Sequence, residues 1–331
     1  MTMLYDNHNR PITYLRLAVT DRCNLRCFYC MPEEGIRYIH KKELLTFEEI
    51  ERLISIMASF GISKVRLTGG EPFVRNDLMK LIRTIVDLPG INDLHLTTNG
   101  ILTAPHIAEL KQLGIASVNL SLDTLDRKRF HEITRRDEFE PVINTLKLLL
   151  KHEIPVKINA VVMDGKNTDD IIPLIELTKN SLVDVRFIEE MPFNGEGNHY
   201  PTLHWTHTKI KQYILEHYPS LYKIEDPDFS TSSGYRIPGH EGSIGIIAAF
   251  SRTFCGTCNR IRITAQGELK TCLYDDGVLN VKEIMRSGKN DDAIKESLLQ
   301  AFQSRPKDGF EAESKRKNHS SISESMSTIG G

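Results

Sequence analysis

The strongest chemical signal in this 331-residue sequence is the spacing of its six cysteines, which form two sets of three. The first set has the pattern C-x3-C-x2-C and consists of Cys23, Cys27 and Cys30. The second set has the pattern C-x2-C-x13-C and consists of Cys255, Cys258 and Cys272. Clustered cysteines in a cytosolic chain indicate metal or redox sites before they indicate disulfides. Each set is compact enough to give three thiolates to one metal centre.

The number of ligands in each set bears on the kind of metal site. Structural zinc usually takes four ligands, and neither set contains a fourth cysteine. The histidines nearest to the first set, His8 and His40, do not have the spacing of a zinc finger. Three thiolates suit an iron–sulfur cubane that leaves one iron open, and an open position is where a metal meets its substrate. We therefore favour a reactive iron–sulfur site, with a structural zinc or iron–sulfur module as the alternative.

The composition excludes several classes of protein. A chain that is 40% hydrophobic and 26% charged is typical of a globular protein and not of a disordered or collagen-like one. Lys and Arg number 42 and Asp and Glu number 44, so a net charge of −2 offers no general attraction for nucleic acid or an anionic membrane. The sequence has no run of about 18 apolar residues and no apolar signal-peptide core near its start, so we expect a cytoplasmic protein.

The first two thirds of the chain alternate short apolar strands with amphipathic helices. We predict six strands, at Tyr14–Thr20, Lys64–Thr68, Leu94–Thr98, Ser117–Leu122, Val156–Val162 and Val183–Glu189. We predict helices after the N-cap Thr46 to near Gly61, and at Leu78–Leu88, Ala104–Leu113, Pro141–His152 and Thr168–Thr178. Six strand–helix repeats favour a parallel sheet with helices outside, in either a doubly wound sheet or a βα barrel.

Polar residues recur where the predicted strands end, and this feature favours the barrel. These residues are Asp21, Glu71, Asn99, Asp123 and Glu189. The carboxyl ends of barrel strands meet around one mouth, where such side chains would come together. Each of them could equally cap a helix or begin a loop, so no single one decides between the two folds.

After about residue 192 the strand–helix pattern is lost. We predict one more helix around 207–217, followed by short, turn-rich pieces that carry the second cysteine set. Arg260 and Arg262 lie two residues apart in a predicted extended segment, so their side chains share one face. From Ser314 onward the chain is rich in Ser and Lys, and we expect a tail that stays mobile until something fixes it.

The first cysteine set and a glycine-rich segment together resemble a known superfamily. Tyr29 stands directly before Cys30, and Thr68-Gly69-Gly70-Glu71-Pro72 follows the second predicted strand. With these features the chain resembles the radical S-adenosylmethionine (SAM) enzymes, which cleave SAM to a 5′-deoxyadenosyl radical. The resemblance implies a [4Fe–4S] cluster held by Cys23, Cys27 and Cys30, with an open iron that binds SAM. It also implies SAM contacts at Tyr29, Gly70, Ser121 and Met191.

The second cysteine set narrows the resemblance to one family within that superfamily. The segment that begins at Cys255 reads CGTCNRIRI, and the sequence ends in Gly330-Gly331. Over essentially its full length, the chain resembles the GTP 3′,8-cyclases. The resemblance implies a lyase that uses the 5′-deoxyadenosyl radical to abstract the ribose 3′ hydrogen of GTP. The product would be 3′,8-cyclo-7,8-dihydro-GTP, in the first step of molybdenum cofactor (molybdopterin) biosynthesis.

The same resemblance implies an architecture of the α/β class. We expect a partial (βα)6 TIM-type barrel of the radical SAM type over residues 5–222. Residues 223–331 would form a C-terminal region that closes the barrel mouth and carries an auxiliary [4Fe–4S] cluster. Cys255, Cys258 and Cys272 would hold that second cluster, whose open iron would bind the guanine base. Gly330 and Gly331 would insert into the active site.

Basic side chains inside predicted strands give a physical reason to expect an anionic substrate. Arg16, Arg66 and Lys157 lie among apolar neighbours, where a charge is costly unless it faces a polar cavity. Guanidinium groups bind phosphate oxygens in pairs and keep their charge when partly buried. The resemblance implies GTP contacts at Arg16, Arg66, Thr97, Lys157, Arg260 and Arg262. Arg186 belongs to the same pattern as a supporting residue.

The partners that we expect follow from this resemblance. GTP would be the substrate, an external donor would supply electrons, and a cyclic pyranopterin monophosphate synthase would take the product. We expect neither nucleic acid nor a membrane as a partner, and the oligomeric state stays open, with a homodimer as one candidate. Two alternatives remain: another radical SAM enzyme with an auxiliary cluster that modifies a peptide or an RNA, and a non-catalytic zinc or iron–sulfur module. The sequence assigns no residue as the final proton or electron donor.

Overall fold

Six parallel strands in consecutive order form the centre of one continuous sheet. The computed structural model describes residues 3–194, 202–316 and 324–330. The central strands are β1 (Tyr14–Ala18), β2 (Lys64–Thr68), β3 (Asp93–Thr98), β4 (Ser117–Ser121), β5 (Val156–Val162) and β6 (Val183–Glu189). Each strand pairs in parallel with the next. The six predicted strands are confirmed, and their order is that of a partial TIM-type barrel.

Helices connect these strands. They are α1 (Phe47–Ser59), α2 (Leu78–Val86), α3 (Ile107–Gln112), α4 (Arg127–Thr134), α5 (Phe139–Lys151) and α6 (Ile171–Glu176). Thr46 caps α1 as predicted, because its side chain accepts a hydrogen bond from the Glu49 N–H. The sequence pattern does not predict α4, whose residues RKRFHEIT include few apolar ones. None of the described helices is both long and apolar enough to cross a lipid bilayer.

The C-terminal third extends the sheet at both of its edges. Beyond β6 lie β7 (Tyr222–Lys223), β8 (Ser232–Arg236) and β9 (Ser243–Ile247), of which β9 pairs with β6 in parallel. Beyond β1 lie β10 (Arg260–Ile263), β11 (Glu268–Lys270) and β12 (Leu279–Asn280), of which β10 pairs with β1 in parallel. The extended segment predicted around Arg260 is confirmed as β10. The two ends of the barrel sheet are therefore both continued by the same C-terminal third.

Helices replace much of the turn-rich stretch that the sequence predicts here. The helix expected around 207–217 is confirmed as α7 (His207–His217). It is followed by α8 (Val281–Arg286), α9 (Asp291–Phe302) and α10 (Gly309–Ser314). The expectation of short, turn-rich pieces is confirmed for residues 222–280, which carry the second cysteine set, but it is wrong for residues 281–314. There the helices gain much of their burial from contacts that are distant in sequence. Phe302, for example, is fully buried and packs edge-on against Phe60, with ring centroids 6.3 Å apart.

The inner face of the barrel sheet is polar, and the outer face is apolar. Strands β5 and β6 alternate strictly between buried and half-buried residues. Ile158 and Phe187 belong to the apolar core, to which the helices also contribute. Lys157, Asn159 and Arg186 point to the other face and line a cavity inside the barrel. The two-residue period of the strands thus separates the core from the site.

The end of the chain is ordered against the rest of the protein. Residues 324–330 contain α11 (Met326–Ile329), and Ile329 is buried in an apolar cluster with Phe193 and Tyr274. We expected the tail to stay mobile until something fixes it, and in residues 324–330 the buried Ile329 side chain provides that contact. Residues 317–323 and Gly331 lie outside the described residues.

Candidate active site

A cavity of about 330 Å³ lies between the inner face of the barrel sheet and the C-terminal third. Eleven Arg or Lys side chains line this cavity, against two Asp side chains. The whole chain has a net charge of only −2, so the basic residues are concentrated at this place. A low-dielectric cleft with one sign of charge attracts ligands of the opposite sign. The cavity is therefore suited to an anion.

Three arginines lie side by side on adjacent strands in this cavity, and we refer to Arg16, Arg66 and Arg262 as the arginine row. Arg16 of β1 is in register with Arg262 of β10 on one side and with Arg66 of β2 on the other. Burial and the charge of Arg262 lower the pKa of Arg16 well below its usual value. Burial and Arg260 lower the pKa of Arg262 to about 10. Within the described part of the chain, no carboxylate forms an ion pair with the row.

Tyr14 is a partner of the arginine row that the sequence analysis missed. Arg66 Nε donates a hydrogen bond of 2.6 Å to the Tyr14 hydroxyl, and Arg66 Nη1 donates one of 2.7 Å to the Leu96 carbonyl. Burial alone would raise the pKa of Tyr14, but the charges of Arg66 and Arg16 lower it to about 7. The signal was present, since Tyr14 precedes Arg16 by two residues and therefore shares its face of β1.

Several buried polar atoms of the barrel interior have no hydrogen-bond partner among the described residues. They include Arg16 Nε, Thr97 Oγ1, Asn119 Oδ1 and Asn159 Oδ1. Thr97, Asn119 and Lys157 are in register across β3, β4 and β5, so they face the same interior. A buried polar group without a partner costs about 1–3 kcal/mol. These atoms therefore indicate a polar ligand with both donors and acceptors.

Lys157 and Arg186 differ in how their charges are balanced. Burial and the nearby charge of Arg186 lower the pKa of Lys157 to about 8. Arg186 Nε donates a hydrogen bond of 2.5 Å to Asp184 Oδ2, so a carboxylate already neutralises this guanidinium. A Cβ at Gly245, the partner of Arg186 on β9, would lie 3.0 Å from Arg186 Cγ. Lys157 is therefore the better placed of the two to bind an anion.

The first cysteine set lies in the loop that follows β1. The Leu25 N–H donates to Cys23 Sγ at 3.4 Å, and Asn99 Nδ2 donates to the same sulfur at 3.7 Å. Burial raises the pKa of Cys23 to about 12 and that of Cys30 to about 11. Burial in this loop disfavours free thiolates, whereas the N–H donors stabilise negative charge on the sulfur. Both features suit cysteine sulfurs that bind a positively charged metal group.

Each cysteine set consists of three free thiols. Among the residues that the structure describes, no group of three His, Cys, Asp or Glu side chains is arranged to hold a single metal ion.

The backbone of Gly69 and Gly70 packs directly against the backbone at the start of the first cysteine loop. The Gly70 N–H donates a hydrogen bond of 2.9 Å to the Thr20 carbonyl, and the Glu71 N–H donates one of 2.8 Å to the Arg22 carbonyl. A Cβ at Gly69 would lie 2.2 Å from the Thr20 oxygen, and one at Gly70 would lie 2.3 Å from the Arg22 oxygen. The two glycines are thus required where two backbones touch, and this contact fixes the cysteine loop on the end of β2.

The other residues that the resemblance assigns to SAM lie in three places: Tyr29 in the cysteine loop, Ser121 at the end of a strand and Met191 in the cavity wall. The Tyr29 hydroxyl donates a hydrogen bond of 2.8 Å to Asp123 Oδ2, and Asp123 Oδ1 accepts one of 2.8 Å from the Val161 N–H. Ser121 ends β4, and Met191 lines the cavity. Asp123 therefore positions Tyr29, a role that its place at a strand end did not reveal.

The second cysteine set lines the cavity wall formed by the C-terminal third. Burial raises the pKa of Cys272 to about 12. Burial also acts to raise the pKa of Cys258, but the charges of Arg260 and Arg305 outweigh it and lower that pKa. Arg305 Nη2 donates to Cys258 Sγ at 3.6 Å. No sequence motif singles out Arg305.

Residues 324–330 connect the arginine row to the first cysteine loop. Arg262 Nη1 donates a hydrogen bond of 2.6 Å to the Gly330 carbonyl. A Cβ at Gly330, whose φ is +87°, would lie 2.5 Å from Thr68 Oγ1. The Ser325 hydroxyl donates a hydrogen bond of 2.7 Å to the Cys30 carbonyl. Gly330 thus lies inside the barrel, while Gly331 is outside the described residues.

The strand-end carboxylates Glu71 and Glu189 hold loops in place. Glu71 is fully buried and accepts hydrogen bonds from the Thr98 hydroxyl and the Asn99 N–H. Glu189 is also fully buried and accepts from the Ser251 N–H and hydroxyl. All their contacts among the described residues are with the chain itself. The sequence left open whether these carboxylates belong to the site or hold helices and loops. For both residues the structure favours the second role.

Two protein families match this chain. Residues 17–178 match the family described as the Radical SAM superfamily. Residues 183–311 match the family described as Molybdenum Cofactor Synthesis C. The first match includes the first cysteine set, and the second match includes the second set.

Curated relatives match over most of this chain. The GTP 3′,8-cyclase of Syntrophomonas wolfei is 41% identical over 326 residues, which are 95% of this chain and 98% of that protein. The mitochondrial GTP 3′,8-cyclase of Arabidopsis thaliana is 39% identical over 89% of this chain and 76% of its own. Molybdenum cofactor biosynthesis protein 1 of Mus musculus is 41% identical over 88% of this chain, but over 46% of its own length.

A solved structure shares the fold. Streptococcus suis SuiB bound to S-adenosylmethionine superimposes with a TM-score of 0.63 over 94% of this chain and 69% of its own. The two sequences are 17% identical, so the likeness concerns the fold alone. It confirms the expected barrel of the radical SAM type.

The contact between Gly70 and the cysteine loop leads to a first prediction. The methyl group of Gly70→Ala overlaps the Arg22 carbonyl, and we expect it to destabilise the fold by about 1–3 kcal/mol and to displace the first cysteine loop. The variant should bind less iron than the parent after anaerobic reconstitution, as measured by iron and sulfide per chain.

Gly256→Ala is the matched control, because a Cβ at Gly256 meets no atom within 4 Å although this residue lies between Cys255 and Cys258. Its iron content should equal that of the parent. Equal iron in both variants would show that the Gly70 contact does not hold the loop.

Proposed function

Because this chain belongs to the radical SAM superfamily and, within it, to the family of the GTP 3′,8-cyclases, we propose that it converts GTP to 3′,8-cyclo-7,8-dihydro-GTP. This reaction is the first step of molybdenum cofactor biosynthesis. The observation that carries the proposal is the arginine row, which has no carboxylate partner among the described residues and lies in a cavity lined by the second cysteine set.

The charge of the cavity supports a nucleoside triphosphate as the substrate. A triphosphate carries several negative charges within a few ångströms, and guanidinium groups bind phosphate oxygens in pairs. Like charges on adjacent strands repel one another, so a polyanion that binds them removes an unfavourable interaction as well as adding favourable ones. We propose that the GTP contacts are made by Arg16, Arg66, Thr97, Lys157, Arg260 and Arg262, with Arg186 as a supporting residue.

Membership of the radical SAM superfamily implies a [4Fe–4S] cluster and SAM binding. We propose that Cys23, Cys27 and Cys30 hold this cluster, and that Tyr29, Gly70, Ser121 and Met191 contact SAM. When bound and reduced, this cluster with SAM supplies the 5′-deoxyadenosyl radical that abstracts the ribose 3′ hydrogen. The contribution of Tyr29 is fixed by its hydrogen bond to Asp123, which orients the ring beside the cysteine loop.

We further propose that Cys255, Cys258 and Cys272 would hold an auxiliary [4Fe–4S] cluster, which would orient the guanine base of the substrate. All three cysteines line the same cavity as the arginine row. Arg260 follows Cys258 by two residues, so one short segment carries both a cluster ligand and a phosphate ligand. This arrangement would hold the base at one end of the cavity and the phosphates along the inner face of the sheet.

We propose that apolar residues around the cavity limit the access of water to the reaction. Pro227 and Phe229 belong to a loop that lines the cavity, and the Phe229 carbonyl accepts a hydrogen bond of 3.0 Å from Arg260 Nη2. Met326 of the C-terminal segment lines the cavity as well. A radical that abstracts hydrogen from carbon needs a shielded site, because it would otherwise react with other groups.

Further parts of the proposal concern the organisation of the chain and its partners. We propose a core barrel over residues 5–222 and an auxiliary region over residues 223–331. An external donor reduces the clusters, and a cyclic pyranopterin monophosphate synthase takes the product. The unpaired state of all six cysteines supports a cytoplasmic location, where thiols stay reduced. A homodimer is the oligomeric state that we propose to test.

The decisive test follows product formation. Anaerobically reconstituted, dithionite-reduced protein is incubated with SAM, with and without GTP, and the products are separated by chromatography. We expect GTP-dependent formation of both 5′-deoxyadenosine and a cyclised guanine nucleotide. Formation of 5′-deoxyadenosine without a nucleotide product would point to another radical SAM enzyme, acting on a peptide or an RNA. Zinc without sulfide in the purified protein would point to a structural module.

A second prediction concerns the two arginines of β10. Replacing both of them, in Arg260→Ala together with Arg262→Ala, removes two of the proposed phosphate ligands. We expect the Kd for GTP to rise at least about 100-fold, since charge-assisted hydrogen bonds contribute roughly 1.5–3 kcal/mol each. Equilibrium dialysis against GTP measures this change, and iron content should stay at the parent level. Undiminished affinity would exclude these arginines as ligands.

A third prediction concerns pH. Burial and Arg186 lower the pKa of Lys157 to about 8, so its ammonium is charged below pH 8 and loses its charge above it. The Kd for GTP should therefore rise up to about tenfold between pH 8 and pH 9. Lys157→Arg keeps its charge, so the rise should be much smaller in that variant. Ionisation of Tyr14 and of GTP affects both proteins alike, and parallel pH profiles would contradict the assignment.

A further inference from the structure

Two buried arginines, Arg10 and Arg305, converge on Asp6 directly behind the second cysteine set. They belong to opposite ends of the chain, yet both form ion pairs with Asp6 Oδ2, at 2.7 and 3.0 Å. The exposed fractions of their side chains are 6% for Arg10, 2% for Arg305 and 0% for Asp6. Neither arginine belongs to a motif, and both line the cavity. We refer to Asp6, Arg10 and Arg305 as the Asp6 clamp.

Arg305 contacts two of the three chain segments that carry the cysteines of the second set. Its Nη1 donates a hydrogen bond of 3.2 Å to the Cys258 carbonyl, and its Nη2 donates to Cys258 Sγ at 3.6 Å. The same Nη2 donates to the Arg260 carbonyl at 2.9 Å, and Nε donates to the Thr271 carbonyl at 3.1 Å. Thr271 directly precedes Cys272. One guanidinium thus fixes two of the three cysteine segments and the start of β10.

Arg10 fixes the remaining cysteine segment. Its Nη1 donates a hydrogen bond of 3.1 Å to the Cys255 carbonyl and one of 2.6 Å to the Lys307 carbonyl. Its Nη2 donates one of 2.8 Å to the Pro306 carbonyl, in the segment that follows Arg305. The two arginines together therefore hold the backbone of every cysteine segment in this set.

Asp6 makes it possible to bury these two positive charges side by side. Its Oδ1 accepts hydrogen bonds of 2.9 Å from the His8 and Arg10 N–H groups, and its Oδ2 accepts from both guanidinium groups. Burial acts to raise the pKa of Asp6, but the hydrogen bonds from Arg10 and the charge of Arg305 lower it. Both oxygens of the Asp6 carboxylate therefore accept hydrogen bonds from the chain itself. Asp6 binds Arg305 through Nη1, so that Nη2 is free to point at the Cys258 sulfur.

We propose that the Asp6 clamp positions the ligands of the auxiliary iron–sulfur cluster and raises the reduction potential of that cluster through the Arg305 N–H that points at Cys258 Sγ. The inference rests on the proposed auxiliary cluster and deepens it. Asp6, Arg10 and Arg305 are positioning residues, since their roles are exerted through the cysteines.

The physical reason is the charge of the cluster. Reduction adds a negative charge, and N–H donors and nearby cations stabilise the reduced form more than the oxidised form. Removing the Arg305 guanidinium therefore lowers the potential. Arg305 also donates a hydrogen bond to the carbonyl of Arg260, which is a proposed phosphate ligand. Removing the Arg305 guanidinium therefore weakens GTP binding as well.

The test isolates the auxiliary cluster in the full-length chain. In a background of Cys23→Ala, Cys27→Ala and Cys30→Ala, the only cysteines left to hold a cluster are those of the second set. Arg305→Met, Arg305→Lys and Asp6→Asn are compared there by iron content and by redox titration followed by electron paramagnetic resonance. Arg286→Lys is the matched control, because Arg286 also binds a carboxylate and two backbone carbonyls, far from the cavity lining.

We expect Arg305→Met to lower the midpoint potential of the auxiliary cluster and to raise the Kd for GTP about 10- to 100-fold, the usual cost of losing an outer-sphere partner. Arg305→Lys keeps the positive charge, so its midpoint potential should lie between those of Arg305→Met and the parent. It should recover little of the GTP affinity, because one ammonium cannot make the several hydrogen bonds of the planar guanidinium. Asp6→Asn removes a negative charge and leaves both guanidinium groups, so it should raise the potential, in the direction opposite to Arg305→Met. Arg286→Lys should change nothing.

An unchanged potential and an unchanged GTP affinity in Arg305→Met, at full iron content, would overturn the inference while leaving the cyclase proposal intact. A lowered potential in a protein whose parent does not cyclise GTP would support the clamp and overturn the proposed reaction. Should Arg305→Met fail to fold, the other two variants decide: the potential should rise in Asp6→Asn and the Kd for GTP should rise in Arg305→Lys, and no change in either would overturn the inference. Iron for only one cluster in the parent would overturn the clamp together with the auxiliary cluster.

Discussion

The burial of several positive charges side by side on a parallel sheet is the constraint on which the rest of the structure depends. Neighbouring strands lie about 4.8 Å apart, so the register of Arg262, Arg16 and Arg66 places three guanidinium groups at close range. Such groups repel one another and lose hydration when buried. The free protein compensates partly with Tyr14, whose lowered pKa follows from these charges. A bound polyanion would compensate the remaining positive charge. The arginine row is therefore better explained by a role in ligand binding than by a role in the stability of the fold.

This constraint also determines how the chain must be connected. Arg262 reaches the row only because β10, from the C-terminal third, pairs with β1. The cavity is therefore complete only when the C-terminal third docks on the barrel edge, and Gly330 then meets Arg262 from the other side. The docked segment also contacts the Cys30 carbonyl through Ser325. The first cysteine loop, the arginine row and the chain end are thus parts of one packed unit.

Local patterns in the sequence were sufficient for the barrel and for the cysteine sets. The six central strands are apolar with a two-residue period, and Thr46 has the chemistry of an N-cap, so each could be predicted from its neighbours. The helix α9 and the ordered chain end could not, because their burial comes from partners such as Phe60 and Tyr274 that are distant in sequence. The pairing of Asp6 with Arg305 spans almost the whole chain, and no spacing rule reaches that far.

The arginines in this cavity fall into two groups, which differ in whether a carboxylate lies within ion-pair distance. Arg10, Arg305 and Arg186 each have a carboxylate within ion-pair distance, and their donors are largely used by the chain itself. The members of the arginine row have no such partner within the described ranges, and Arg16 Nε has no acceptor there at all. The charge of a buried cation with a carboxylate partner is at least partly compensated, so this cation mainly holds structure in place. A buried cation without one gains most from an incoming anion, which separates the residues that bind substrate from those that position them.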